Sequence, residues 1–255
     1  MLAVRDLTLA FGGLQVLRGV TLEAAPGRVT GIIGPNGSGK STLLNVVAGV
    51  HAPKAGTVTL NGAALPYGRP ERVAQAGIGR TFQTPRLARR LTVFQNMLAG
   101  DRDQPGERLK DLFLRPGRVR AREQEIAARA EAMLTRLGLA HKSDDPAGGL
   151  SGGQQKLLTM GMLLMADPAV LLLDEPAAGV NPVLIEQQVA LLRELRAEGR
   201  IVMLVEHNME MVADICDTVF VLDAGAVIAA GTPGEIRADE TVIRSYLGQP
   251  AGGGR

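Results

Sequence analysis

Cysteine, long apolar runs and net charge are all scarce in this 255-residue chain. The single cysteine, Cys216, excludes an internal disulfide and is consistent with a reducing compartment. We expect it to be a small buried side chain on a helix. The longest nearly apolar stretch, 157–173, is interrupted by Asp167 and Pro168, so it falls short of the ~18 residues that a membrane-spanning helix needs. The formal net charge of +2 provides no electrostatic argument for a nucleic-acid partner.

The start of the chain resembles no secretory signal, because Asp6 comes early and no apolar h-region follows it. The chain is therefore expected to be soluble and cytoplasmic, unless another protein holds it at a membrane. Hydrophobic residues make up 45% and charged residues 21%, which is typical of a globular protein able to bury a sizeable core. Length alone leaves one large domain or two small ones open.

A glycine-rich stretch near the N-terminus matches the phosphate-loop pattern G-x-x-x-x-G-K-[ST] at every fixed position. Its glycines allow backbone N–H groups to point at phosphates, Lys40 can reach the β- and γ-phosphates, and the Ser41 hydroxyl is placed to ligate Mg²⁺. The flanking sequence predicts a buried strand over 28–33 and a helix over 42–48. The sequence thus predicts nucleoside triphosphate binding by Gly34, Pro35, Asn36, Gly37, Ser38, Gly39, Lys40, Ser41 and Thr42.

Two carboxylates follow the apolar segment Val170–Leu173, which is predicted to be a buried strand. Ligands of open α/β sheets sit at the C-terminal edge of such strands. Asp174 suits Mg²⁺, directly or through water, and Glu175 suits the base that polarises the attacking water. Apolar residues followed by Asp-Glu are common at strand ends, so this assignment depends on the phosphate loop upstream.

Residues 150–154 form a second glycine-rich turn, in which Ser151 is placed to cap a helix that runs to Met165. The N-terminus of that helix is another potential anion site. A chain that already has one phosphate loop has no local need for a second. We therefore interpret this turn as facing the nucleotide bound to another subunit.

The phosphate loop, the LSGGQ at 150–154 and the LLLDE at 171–175 together resemble the ATP-binding cassette (ABC) ATPases over nearly the whole chain. The resemblance implies an ATPase that uses ATP and Mg²⁺. It also implies that the ATP of one subunit meets the signature residues of the other, which are Ser151, Gly152, Gly153 and Gln154.

The same resemblance assigns roles to positions that the residue patterns alone leave open. Gln83 resembles the glutamine that senses Mg²⁺ and the γ-phosphate and touches the membrane partner, and His207 resembles the switch histidine that contacts the γ-phosphate. Phe11 would stack on adenine with Val16 beside it, although Phe11 could instead be a core aromatic. The segment 177–181 would cross the dimer interface. The expected catalytic residues are Lys40, Gln83, Glu175 and His207, and the expected metal ligands are Ser41, Gln83 and Asp174.

The predicted fold class is α/β, with a P-loop ABC ATPase core of mixed sheet, helices and an antiparallel β subdomain, and with an inserted helical subdomain. The core is assigned to 1–84 and 166–255 and the helical subdomain to 85–165, within one domain over 1–255. A strand is expected over 78–83, ending at the polar Gln83. Residues 101–122, which are rich in arginine, are interpreted as a solvated surface or as a membrane-proximal or partner-facing segment.

Four segments resemble the ATPases of branched-chain amino-acid importers more specifically: RTFQTPRLARRLTVFQNMLAG, DEPAAGVNP, VEHNMEMV and VIRSYLG. At two places the sequence differs from that of most ABC ATPases. Asn181 stands where most cassettes have Asp, and 161–164 reads GMLL in place of Ala-Arg-Ala-Leu, which is similar to urea-type importers. Related systems for urea or amides, or for lipopolysaccharide export, therefore remain alternatives. A DNA-repair or ribosome-associated cassette is disfavoured, since the sequence has no long coiled-coil heptads.

The resemblance also implies partners and a location. Two ATPase subunits, identical or from sister chains, would close on ATP and drive separate integral membrane permease subunits. A periplasmic or extracellular binding protein would take part indirectly, and no nucleic acid is expected. The expected location is the cytoplasmic face of the inner or cell membrane.

Overall fold

The computed structural model describes residues 1–82, 85–103 and 116–247. The chain divides into two compact units. The core unit comprises Met1–Gln83, Ala169–Ala178 and Val189–Arg255, and the helical unit comprises Thr84–Pro168 and Gly179–Gln188. Residues 179–188 thus cluster with the helical unit, whereas the sequence analysis assigned them to the core. The tail 252–255, for which we expected disorder, lies outside the described residues.

The strands are β1 (Leu2–Phe11), β2 (Leu14–Ala24), β3 (Arg28–Ile33), β4 (Ala55–Leu60), β5 (Ala63–Ala64), β6 (Ile78–Arg80), β7 (Val170–Asp174), β8 (Ile201–Val205), β9 (Thr218–Asp223) and β10 (Ala226–Gly231). The α-helices of the described residues are Lys40–Val47, Pro70–Gln75, Val93–Leu98, Pro116–Arg136, Gly152–Met165, Pro182–Ala197, Met209–Ile215, Pro233–Ala238 and Glu240–Leu247. Within the described ranges, none of these helices is long and apolar enough to cross a membrane.

A six-stranded sheet in the order β10-β9-β3-β8-β7-β6 forms the centre of the core unit. The strands β9, β3, β8, β7 and β6 run parallel, and β10 pairs antiparallel with β9. All residues of β7 and β8 are buried, as the uninterrupted apolar sequences of β8 and of 170–173 in β7 predict, and Asp174 at the end of β7 is buried with them. The register pairs Val205 with Ile32 on one side and with Asp174 on the other. The loops that follow β3, β7 and β8 therefore leave the same edge of the sheet.

A second sheet, in the order β2-β1-β4-β5, is antiparallel. Its buried side chains, including Leu7 and Val58, belong to one hydrophobic cluster with Ile32 of β3 and Leu43 of the helix Lys40–Val47. Burial of this apolar surface holds the strand and helix that flank the phosphate loop. The predicted mixed sheet with helices, its antiparallel β subdomain and the α/β class are thus confirmed.

The strand predicted over 78–83 is too long. It ends at Arg80, although the N–H of Thr81 still donates to the Leu172 carbonyl at 3.0 Å. Beyond Thr81 the backbone hydrogen bonds between β6 and β7 stop. The N–H of Asp174 donates instead to a side-chain oxygen, Thr81 Oγ1, at 3.3 Å. Gln83 itself lies outside the described residues.

The segment 101–122 is only partly a solvated surface, so that expectation is wrong for Asp101 and Arg122. The Asp101 side chain is 2% exposed and accepts hydrogen bonds from Arg122 at 3.1 Å and Arg129 at 2.7 Å. Arg129 also donates to the Met165 carbonyl, so this ion-pair cluster connects two helices of the helical unit. Arg102, Arg118 and Arg120 are exposed, whereas Arg108, Lys110 and Arg115 lie outside the described residues.

A close backbone approach in the helical unit leads to a stability prediction. A Cβ added at Gly100 would lie 2.3 Å from the carbonyl oxygen of Met162. We expect Gly100→Ala to lower the free energy of unfolding by about 1–3 kcal/mol, the usual cost of overpacking. Gly117→Ala is the matched control, because its Cβ would enter open space on a helix, where Ala is favoured by about 0.5–1 kcal/mol. Equal effects of both changes in urea denaturation would contradict this packing.

Candidate functional site

The phosphate loop follows β3 and requires glycine for steric reasons. Gly34 has φ +148° and Gly39 has φ +103°, both in a region that side-chain-bearing residues rarely adopt. A Cβ at Gly34 would lie 2.0 Å from the Leu222 carbonyl oxygen, so no other residue fits there. By contrast, a Cβ at Gly37 would meet open space. The loop is thus packed on one side and open on the other.

Lys40 is buried at the first turn of the helix Lys40–Val47, with 5% of its surface exposed. Its Nζ donates to the carbonyl oxygens of Gly34 and Pro35, both at 2.8 Å. Burial lowers the pKa of Lys40, and the carboxylates of Glu175 and Asp174 act in the opposite direction. The loop carbonyl oxygens therefore hold the ammonium group of Lys40 at the open side of the loop.

The loop has donors that suit phosphate oxygens. The buried Ser38 hydroxyl has no hydrogen-bond partner in the part of the chain that the structure describes. No side chain caps the helix Lys40–Val47, whose N-cap is Gly39, so its first N–H groups remain available to an anion. A cleft of about 260 Å³ opens here. It is lined by Val16, Asn36, Gly37, Gly39, Lys40, Ser41, Thr42 and Glu175.

The carboxylates predicted at the end of β7 reach this cleft from the same sheet edge. Asp174 Oδ1 lies 3.5 Å from the Ser41 hydroxyl. Glu175 has φ +49°, an uncommon conformation for a residue with a long side chain, and its Oε1 lies 3.0 Å from His207 Nε2. The structure therefore brings together Lys40, Ser41, Asp174, Glu175 and His207, as the sequence analysis expected of a single site.

Arg80 is a site residue that the sequence analysis did not identify. Its side chain is 9% exposed and donates to Asp174 Oδ2 at 3.0 Å and to Asn45 Oδ1 on the phosphate-loop helix. The guanidinium carbon also lies 5.6 Å from the ring centre of Phe82. The sequence contained one indication of this role, since Arg80 is a charged residue in a short strand that is otherwise apolar. Its partner, 94 positions away, could not be read from the sequence.

Phe11 lies at the end of β1 and is 46% exposed, which contradicts the alternative that it is a core aromatic. Its ring meets His51 edge-on, with the ring centres 5.2 Å apart. Val16 lines the cleft beside the phosphate loop. Phe11, which is exposed, and Val16, which is partly buried, could therefore both pack against a planar ring such as adenine.

The signature residues lie in the helical unit, at the start of the helix Gly152–Met165. Ser151 forms the predicted cap, and the cap is reciprocal. Ser151 Oγ accepts from the Gln154 N–H at 3.3 Å, while Gln154 Oε1 accepts from the Ser151 N–H at 3.0 Å. A Cβ at Gly152 would meet open space, whereas one at Gly153 would lie 2.7 Å from Leu184.

The segment 177–181 ends in the predicted helix cap. Asn181 Oδ1 accepts from the N–H of Leu184 at 2.9 Å, at the start of the helix Pro182–Ala197. Asn181 therefore has a local structural role, which explains how Asn can stand at this position.

Comparisons with known proteins agree with this geometry. A family model described as ABC transporter matches residues 17–178. A second, described as Branched-chain amino acid ATP-binding cassette transporter, matches residues 226–252. A solved structure of an ATP-binding cassette of an ABC transporter, in its ADP conformation, is similar with a TM-score of 0.83 and 33% identity, covering 98% of this chain and 99% of that one.

Two curated relatives match over almost their whole length. The high-affinity branched-chain amino acid transport ATP-binding protein LivG of Salmonella typhimurium is 37% identical over 250 residues, covering 98% of each chain. The corresponding protein BraF of Pseudomonas aeruginosa is 38% identical over 251 residues, again covering 98% of each. With a phosphate loop, two carboxylates and a histidine at one sheet edge, the chain belongs to the ABC transporter family, as an ATP-binding and ATP-hydrolysing subunit.

Proposed function

We propose that this chain powers an importer of branched-chain amino acids. The observation that carries the cargo assignment is the 37–38% identity to LivG and BraF over 98% of the chain. The match of residues 226–252 to the branched-chain amino acid cassette model supports it. The cargo itself is bound by other proteins of the system, so no residue of this chain selects it directly.

We further propose how the residues at the cleft share the work of hydrolysis. The N–H groups of the phosphate loop and Lys40 bind the β- and γ-phosphates, because Lys40 can exchange its carbonyl partners for phosphate oxygens. Mg²⁺, held by Ser41 and Asp174 with Gln83, would neutralise phosphate charge during hydrolysis.

Glu175 is proposed as the base that polarises the attacking water. His207, whose Nε2 lies 3.0 Å from Glu175 Oε1, orients that carboxylate and contacts the γ-phosphate. The left-handed backbone at Glu175 is supported by the hydrogen bond from its N–H to the Val205 carbonyl at 2.9 Å. The base is therefore held before the substrate arrives.

The proposed working unit is a dimer with two shared sites. The phosphate loop of one subunit and residues 151–154 of the other enclose each ATP. ATP drives closure by binding the closed dimer more tightly than the open one. Closure moves integral membrane permease subunits that recruit the pair to the cytoplasmic face of the membrane, with Gln83 at the contact. Residues 1–255 serve as one ABC ATPase domain in this arrangement.

Uptake measurements in a strain that lacks this gene would test the cargo. The wild-type gene is expected to restore uptake of radiolabelled leucine, and a Lys40→Ala gene is the matched control that should not. Restored uptake of labelled urea, with leucine uptake unchanged, would instead assign the chain to a urea-type importer. A defect confined to the outer membrane would indicate lipopolysaccharide export.

Phe11→Ala is expected to weaken nucleotide affinity by about 1–2 kcal/mol, the scale of one lost stacking contact. The exposure of Phe11 predicts little change in melting temperature. Leu14→Ala is the control, since Leu14 is an exposed apolar residue that pairs with Phe11 in the β1–β2 ladder and to which we assign no role in nucleotide binding. Titration with a fluorescent ATP analogue measures both variants. An unchanged affinity together with a lowered melting temperature would show that Phe11 serves the fold instead.

A further inference from the structure

Glu206 is a buried carboxylate at the sheet edge that the proposed mechanism does not use. It follows β8 directly and is 2% exposed. Within the described ranges its carboxylate is hydrogen-bonded by backbone N–H groups and forms no ion pair with a lysine or arginine. One oxygen accepts from Ala177 at 2.6 Å, and the other accepts from His207 at 3.0 Å and from Asn208 at 3.2 Å. Such charge-assisted bonds are strong when water is excluded.

These three bonds connect two loops of the site. Ala177 follows Glu175 by two positions, in the loop after β7, and His207 lies in the loop after β8. Glu206 is itself anchored, because its N–H donates to the Ile32 carbonyl of β3 at 3.3 Å. Through its carboxylate and its own N–H, Glu206 therefore connects both loops to β3, the strand that precedes the phosphate loop.

We propose that Glu206 is a positioning residue for hydrolysis, which sets the Glu175–His207 geometry by holding the backbones of Ala177 and His207. This inference rests on the proposed function of Glu175 and His207. Glu206 touches no reacting atom, so its loss should lower the rate of hydrolysis and leave ground-state binding at the phosphate loop intact. Its bond to Ala177 also holds the first residue of the segment 177–181.

The arrangement requires a carboxylate. The two carboxylate oxygens have about four lone pairs and accept three N–H groups, one at one oxygen and two at the other. Glutamine has the same shape, but its NH₂ group would point hydrogens at an N–H donor on one of the two loops. Glu206→Gln therefore removes the connection at almost constant volume and is the sharpest single change.

The test compares Glu206→Gln with Glu210→Gln, an identical change at an exposed position on the next helix. We expect Glu206→Gln to lower kcat by about 10- to 100-fold, the scale of a misplaced catalytic group. The KM for ATP and the affinity for a fluorescent ATP analogue should stay within about twofold of wild type. Glu210→Gln should leave all three unchanged. A kcat near the wild-type value in Glu206→Gln would overturn the proposal, as would equal losses of kcat and nucleotide affinity.

A further comparison distinguishes a failure of the proposed role of Glu206 from a failure of the proposed roles of Glu175 and His207. Glu175→Gln and His207→Ala are assayed in parallel. If they hydrolyse ATP normally, the proposed roles fail, whereas if they are inactive and Glu206→Gln is active, only the role of Glu206 fails. Amide hydrogen exchange of the wild-type chain, followed by NMR, tests the hydrogen bonds to Glu206 even if the variants do not fold. The N–H groups of Ala177 and His207 should be protected, and fast exchange at both would refute the connection.

Discussion

Glu175→Gln is expected to bind ATP normally and to lose nearly all turnover. The substitution keeps the shape of the side chain and its contact distance to His207, but the amide cannot accept a proton from water. General-base catalysis contributes about 10²- to 10⁴-fold, so we expect kcat to fall by that factor. The phosphate loop and Lys40 are untouched, and the variant should therefore accumulate as a closed dimer with ATP.

Steady-state hydrolysis and size-exclusion chromatography with ATP measure the two parts of this prediction. Only the Glu175→Gln variant should elute as a stable dimer when ATP is present. Glu186→Gln is the control, because Glu186 is an exposed glutamate on the helix Pro182–Ala197. If Glu175→Gln hydrolyses ATP at close to the wild-type rate, Glu175 is not the base.

Lys40→Ala is expected to abolish ATP binding itself. Lys40 is the buried cation of the loop, and in its absence the phosphates lose charge-assisted hydrogen bonds worth about 3 kcal/mol together, or more than about 100-fold in affinity. The carbonyl oxygens of Gly34 and Pro35 also lose their partner, so the nucleotide-free variant should melt at a slightly lower temperature.

Calorimetric titration with ATP and Mg²⁺ measures this loss. Lys54→Ala is the matched control, since Lys54 is exposed and lies outside the cleft. Near-normal affinity in Lys40→Ala would show that the loop binds phosphate through its N–H groups alone, and the proposed role of Lys40 would then be wrong.

The parts of the site that the sequence predicted are those with local causes. The phosphate loop combines a strand, glycines and a helix within 20 residues, and β8 and the first four residues of β7 are apolar. The helix caps at Ser151 and Asn181 also depend on residues three positions away. Each of these features needs only neighbouring residues, and each is present in the structure.

The features that the sequence analysis missed depend on distant partners. Arg80 pairs with Asp174, and Asp101 pairs with Arg122 and Arg129. Arg80 and Asp101, which the sequence alone would place in solvent, are therefore largely buried. The end of β6 at Arg80 depends on the Thr81 side chain meeting Asp174 in a neighbouring strand. Glu206 likewise could be recognised only once the loops after β7 and β8 were in place. No local pattern encodes such pairings.

In the proposed dimer, each ATP lies between the phosphate loop of one subunit and the signature residues 151–154 of the other. Gly152 is the better probe of the signature, because a Cβ at Gly153 would strike Leu184 and Val180 of the same chain, whereas one at Gly152 meets open space. Gly152→Asp should therefore fold, bind ATP as a monomer and fail to hydrolyse it, since its carboxylate repels the partner's phosphates. Gly149→Asp, also exposed and unobstructed, is the control.

The most direct measurement mixes Gly152→Asp with Lys40→Ala, each of which is expected to be inactive alone. In a mixed dimer, one site carries both changes and the other carries neither. We predict that equal mixing restores roughly a quarter of wild-type ATP hydrolysis, because about half of the dimers are mixed and each has one intact site. No recovery in a preparation where mixed dimers are demonstrably present, together with lost ATP affinity in monomeric Gly152→Asp, would contradict the shared site and place the signature at its own subunit's nucleotide.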